Sequence, residues 1–180
     1  MNTLNDILRA LFGSRPVFAN VATGVHEGGL TRKLSYAISE RYLLGAGTLS
    51  ESEVTLCGSD QMPLGVITDS GSAGDYVNVA PLGNASSTLL MVASEAITAG
   101  SPVYVADDGQ VQNEPEFAGE YYHVGHALSS ASTAGDLIEV IPQTPAKTII
   151  IDAFTGTASS DIASLGAALA DAPDKVIVLS

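Results

Sequence analysis

The chain of 180 residues has one cysteine, no tryptophan, four phenylalanines and only 15% charged residues. With Cys57 alone, no intramolecular disulfide can form, so the fold is held by packing. No base neighbours that thiol in sequence, and Cys57 reads as a small buried hydrophobe. Long apolar runs are missing too. The longest uncharged stretch, residues 76–94, is interrupted by Asn78, Pro81, Gly83 and Asn84, which excludes a membrane-spanning helix there. The first sixteen residues, MNTLNDILRALFGSRP, lack a basic leader followed by an apolar core, so no secretory signal is expected.

Cations are the most uneven absence. From residue 42 to residue 146 there is no Lys or Arg, although thirteen Asp and Glu fall in that stretch. Five of the seven basic residues (Arg9, Arg15, Arg32, Lys33, Arg41) stand in residues 1–41, against a net charge of −13 for the whole chain. Such a one-sign body repels phosphates and anionic lipid, so neither nucleic acid nor membrane is expected as its direct partner. Nucleotide chemistry is excluded on separate grounds. None of the three lysines (Lys33, Lys147, Lys175) follows a glycine as a P-loop requires, and no cofactor fingerprint appears; for hydrolases, no G-x-S-x-G elbow is present. The single glycine of FTGTASSD reads as a loop and helix cap.

Four groups of residues could be mistaken for chemistry. Asp107-Asp108-Gly109 lies between two alternating runs, and a D-G step supplies the positive φ of a hairpin turn, whereas a calcium loop needs acids at alternate positions closed by a Glu. His123 and His126, three apart on a strand, are expected on opposite faces and therefore not on one metal ion. His26 in HEGG lacks the second histidine of a zinc-protease helix. Glu114, Glu116 and Glu120 surround Pro115 and Gly119 and read as a solvated loop. No catalytic, cofactor-binding or metal-binding residues are assigned.

What the sequence does hold is a β rhythm. From residue 33 to 142, short apolar runs (34–38, 54–57, 64–68, 76–80, 89–93, 103–106, 110–112, 121–128 and 137–141) recur every 8 to 12 residues between Gly, Ser, Asp and Pro clusters. That spacing marks an antiparallel barrel or sandwich. AGDYVNVAP at 73–81 and AGDLIEVIP at 134–142 share five of nine positions, each preceded by a strand glycine, Gly65 and Gly125. Two similar β-meanders in one domain are the expectation. Upstream, Leu4, Ile7, Leu8 and Leu11 recur at helical spacing before Gly13 and Pro16, and residues 17–32 read as an extended arm. Downstream of Pro142 and Pro145, KTIIID, SSDIASLGAALADA and KVIVLS read as strand, helix, strand. The expected organisation is mainly β: residues 1–32 a helix and arm, 33–142 the barrel or sandwich, and 143–180 a βαβ appendage.

Two segments, AITAGSPVYVADDGQVQ at 96–112 and YYHVGHALSSASTAGDLIEVIP at 121–142, resemble the capsid decoration (cement, or head-stabilisation) proteins of tailed bacteriophages. Members of that family are similar in their A-G-x-P-V-Y-V segment, D-G hairpin, V-G-x-A-L strand and final G-D-L-I-x-V strand. The resemblance covers residues 33–142. It implies a small barrel or "tulip" domain that attaches from outside to the major capsid protein of an expanded shell, as trimers at threefold positions, and so a structural virion protein with no catalysis. The arm before Lys33 and the tail after Pro145 depart from that pattern. In this setting the arm would order on the shell, with Arg15, Val17, Phe18, Val21, Leu30, Arg32 and Lys33 as the candidate capsid-binding residues. Two alternatives belong to other classes: the base of a head fibre or adhesin that carries a receptor-binding module, and a small hydrolase built on His123 or His126.

Overall fold

The computed structural model describes residues 28–48, 52–83, 87–151, 166 and 176–179. Five strands, β1 (Leu30–Leu34), β2 (Leu43–Gly47), β3 (Glu53–Leu56), β4 (Gly65–Ile67) and β5 (Tyr76–Pro81), close into a barrel in the order β1-β3-β2-β4-β5. All neighbours are antiparallel except β1 and β3, which run parallel. The alternation read from the sequence decides which way β5 faces. Val77 and Val79 are buried and Tyr76 and Asn78 exposed, the period of two that a half-buried strand requires.

The second half repeats this plan. Its strands are β6 (Leu89–Val92), β7 (Pro102–Val105), β8 (Val111–Gln112), β9 (Gly119–Ala127), β10 (Leu137–Ile151) and β11 (Val176–Leu179). The first five pair as their counterparts do: β6 with β10, β10 with β9, β9 with β7, and β7 with β8, all antiparallel. Even the parallel β1–β3 pairing has an equivalent, a single parallel bridge from Ala93 to Val111.

The duplicated AGD segments show how the sequence echo becomes structure. In the first copy Leu34 N–H donates to Asp75 O and Gly74 N–H to Leu34 O; in the second Ala93 N–H donates to Asp136 O and Gly135 N–H to Ala93 O, all at 2.8–2.9 Å. Gly74 and Gly135 both have positive φ, +91° and +88°. Gly65 pairs with Pro81 and Gly125 with Pro142. A Cβ on either glycine would lie 2.3 or 2.2 Å from a carbonyl oxygen, Ala80 O or Ile141 O, so only glycine allows the strand ahead to approach. The expected duplication is present, but neither copy is a simple meander, since β1 pairs with β3 and β5 and β2 with β3 and β4.

Two apolar cores follow. Leu34, Leu43, Val54, Ile67, Val77, Val79 and Val92 form the core of the closed barrel, while Leu44, Met91, Val103, Val105, Val111, Val124, Ile138 and Val140 form the core against the six-stranded sheet of the second half. Strand β2 lies between them, since Leu43 points into one core and Leu44 into the other. Val92 and Met91 of β6 divide in the same way, and Val92 N–H donates to Tyr42 O across the seam. A side chain of this size contributes about 1.5–3 kcal/mol when fully buried, so a seam that is apolar on both faces couples the two halves.

Three readings from the sequence need correction. The first strand runs over Leu30–Leu34 rather than 34–38, where Ile38 makes only an isolated bridge to Gly71. Strand β2 was not expected at all, because LLGAG has no alternation; its burial on both faces removes the pattern. Pro142 and Pro145 do not end β10. The ladder with β9 shifts register between Pro142 and Ala146, and in this bulge the missing proline N–H groups are not required. The expected boundary at 142/143 therefore falls within a strand. Beyond it Thr148 to Ile151 pair in parallel with Val176 to Leu179 of β11; the helix expected between them lies outside the described residues.

Candidate functional site

The Asp107-Asp108-Gly109 turn joins the two halves. It forms a single 3₁₀ turn in which Asp108 and Gly109 have positive φ, +56° and +72°. Gly109 N–H donates to Cys57 O at 2.8 Å, and a Cβ at this position would lie 2.5 Å from Leu44 O. Asp107 Oδ1 accepts from Ser59 N–H at 3.1 Å. Asp107 and Gly109 thus hold the β7–β8 turn of the second half against the end of β3 in the first. A shallow depression of about 180 Å³ beside the turn is lined by Ile38, Glu40, Leu43, Leu56, Asp108 and Gln110. Cys57 is buried under the same junction, and burial, then the carboxylate of Asp60, pushes its thiol up to about 12. Such a thiol carries no thiolate at neutral pH and is no nucleophile.

His123 and His126 overturn the expectation of opposite faces. Pro102 pairs with His126, Val103 with Gly125, and Tyr104 with His123, so Val124 is the extra residue of a bulge and both imidazoles fall on one side of β9. Their ring centroids are 5.2 Å apart at 82°, and the Tyr104 ring lies 5.2 Å from that of His123 at 51°. Gln143 Nε2 donates to His126 Nδ1 at 3.3 Å, and His123 Nε2 is buried with no hydrogen-bond partner. Burial, with the neighbouring His126 adding to it, holds His123 below the ordinary imidazole range, so the ring is neutral at physiological pH. Tyr104 is raised, first by burial and then by Glu114. The two histidines are packed as aromatic bodies. Among the described residues no three His, Cys, Asp or Glu come together in a way that could hold a metal ion.

The acidic segment forms the rim of a second depression, about 240 Å³, lined by Glu95, Gln112, Glu114, Glu116, Phe117 and Tyr121. Glu95 Oε1 is occupied by Asn113 N–H and Nδ2 at 2.9 and 3.1 Å, which leaves it holding a loop rather than serving as a base. Glu120 pairs with Lys147 across the β9–β10 ladder.

The candidate capsid-binding residues divide into two sets. Leu30, Arg32 and Lys33 belong to β1 and pair with β5 at Val79, Val77 and Tyr76. Leu30 packs partly on the first core, Arg32 Nη1 donates to Thr31 O at 3.0 Å, and Lys33 Nζ lies 3.6 Å from Glu53 Oε1. Arg15, Val17, Phe18 and Val21 lie outside the described residues. Sequence reasoning missed one surface feature: four aliphatic residues, Leu90, Leu128, Leu137 and Ile141, are 40–49% exposed. Nothing in the sequence marks them as outward, since LLMV of β6 and LIEVI of β10 read equally well as core.

A turn, a packed histidine pair and two open depressions are what the described residues of this duplicated β-structure present. The family profile of phage cement proteins matches residues 37–142, more than half of the chain, and the chain belongs to that family. It is a structural protein of the phage virion that stabilises the capsid. No curated protein matches the sequence. Among solved structures, the chain is similar to the head fibre gp8.5 N base of bacteriophage phi29, at 18% identity over 64% of this chain and 93% of that one, with a TM-score of 0.49.

Proposed function

We propose that the protein attaches from outside to the expanded shell through the arm that precedes β1, as a homotrimer whose three arms act together. The observation that carries this reading is the charge division: five of the seven basic residues stand in residues 1–41, in the arm, in β1 and just after it, while residues 42–146 have none, so the N-terminal side of the chain suits an acidic shell surface better than the rest of the body does. Arg15, Val17, Phe18 and Val21 supply one cation and three apolar anchors in a stretch of seven residues, and Arg32 and Lys33 extend the basic character into the first strand. An extended segment loses entropy when it orders on a partner, so one arm binds weakly. Three linked arms raise overall avidity by ~10² to 10⁴. Binding to the assembled shell alone then stabilises it by mass action.

The test keeps the full chain and replaces the anchors. Val17→Asp, Phe18→Asp and Val21→Asp together should reduce co-sedimentation with expanded heads by at least about tenfold, the loss of one or more interface hot spots. Undiminished binding by that variant would remove the arm from the reading. A sizing measurement on the unmodified protein reads the trimer separately.

A further inference from the structure

The duplication provides an internal control for the exposed aliphatic face. On β10 the residues Leu137, Glu139 and Ile141 point outward while Ile138 and Val140 are buried. Leu90 of β6 stands directly opposite Glu139, and Leu128, whose N–H donates to Glu139 O, stands on the other side. Four aliphatic side chains therefore surround one carboxylate, and Glu139 Oε1 accepts from Thr88 Oγ1 at 2.6 Å. At the matching positions of the first barrel are Thr31, Thr68, Tyr76 and Ala80, with Asn78 in place of Glu139. There Asn78 Nδ2 donates to Thr68 Oγ1 at 2.9 Å. One fold thus presents the same face twice, once polar and once aliphatic.

We propose that this face of the second half is the docking surface for residues 4–15 of the same chain. Four aliphatic residues a little under half exposed offer on the order of 300 Å² of apolar surface, the size of the largest patch on an ordinary monomer and well short of the ~800 Å² per partner of a stable dimer. A short segment fits that area. Residues 4–15, LNDILRALFGSR, place Leu4, Ile7, Leu8 and Leu11 at the spacing of one helix face and carry Arg9 and Arg15. Two patches of this kind set against each other would oppose two Glu139 carboxylates, with no cation from residue 42 to 146 to separate them. The net-positive segment 4–15 meets no such repulsion. Its origin is close as well. Leu30 pairs with Val79 and β5 leads on to Pro81, after which a Cβ on Gly83 would lie 3.0 Å from the Cα of Thr144, three residues past Ile141. The fourteen residues 16–29 can span about 45 Å, ample for the return.

Docking would hold both ends of residues 16–29 on the body and lower the entropy lost when the anchors meet a shell. It does not depend on shell binding, so its test needs no capsid. In the full chain, Leu8→Cys is combined with Leu137→Cys, the buried Cys57 remaining as it is, and disulfide closure under oxidised glutathione is followed by thiol counts and non-reducing gels. The control pairs Leu8→Cys with Tyr76→Cys, the exposed counterpart of Leu137 on the first barrel. The Leu137→Cys pair should close within one chain at least about tenfold faster than the control, which reports a free tether of roughly millimolar effective concentration. Adding Ile141→Asp should bring its rate down to the control. Equal rates for the two pairs, or a disulfide that joins two chains, would overturn the proposal.

Discussion

The two halves share strand order, turn hydrogen bonds and the positions of their tight glycines, but they meet solvent with different chemistry and end in different ways. In the first, β5 stops at Pro81; in the second, β10 passes Pro142 and continues to Ile151, where it gains the parallel partner β11. The first presents Thr31, Thr68, Tyr76, Ala80 and Asn78, the second at the same positions Leu90, Leu128, Leu137, Ile141 and Glu139. Inward-facing residues and turn residues are held by packing and backbone hydrogen bonds, whereas the outward ones are free to take on binding.

If the two cores act as one body through β2, equivalent damage in either should lower stability alike. Ile67→Ala in the first and Ile138→Ala in the second, both fully buried, should each cost about 2–5 kcal/mol. Denaturant unfolding should show a single transition in both variants, and two separated transitions would make the halves independent units. Gly65→Ala and Gly125→Ala sharpen the comparison at the strand contacts. Each should cost about 1–3 kcal/mol because the added Cβ meets a carbonyl oxygen of the neighbouring strand that can retreat only by moving backbone. A large difference between them would show that the duplicated contact does unequal structural work.

The histidine pair exists in the second half only, so the pH response should be lopsided. The folded state depresses the His123 pKa, so the unfolded chain takes up a proton first as pH falls. Stability from this residue is complete above the ordinary imidazole value of about 6.5 and declines below it, down to the folded-state value. His123→Gln should flatten the stability profile in that window, and an unchanged slope would place the acid sensitivity elsewhere. A smaller effect comes from Asp136, which accepts from Ser132 and Thr133 N–H at 2.8 and 3.0 Å and is held below the ordinary carboxylate range by those bonds. Its contribution is present above that ordinary range and is lost as pH falls through the lowered value. Asp136→Asn should remove this acid-limb dependence in an acid titration of unfolding.

Much of this was legible in the residues, for identifiable reasons. Strands with one wet face, such as β5 with Val77 and Val79 inward, alternate and announce themselves. The AGD repeats and Gly65 and Gly125 announced the duplication because turn geometry and close backbone approach permit few residue types. Strand β2 stayed hidden because both its faces are buried, and β10 seemed to end at its prolines because a bulge is a property of pairing between strands. The histidines were misplaced for the same reason. Counting three residues along β9 ignores Val124, whose displacement depends on β7. The aliphatic face could not be separated from core by sequence, since Leu and Ile serve both.

The barrel and the sheet beside it work by adhering to a phage shell. Expanded heads incubated with the purified protein, sedimented and then heated report it directly. Saturable binding with a raised temperature of head disruption is the predicted result, and heads that sediment bare, or open at an unchanged temperature when decorated, would contradict it.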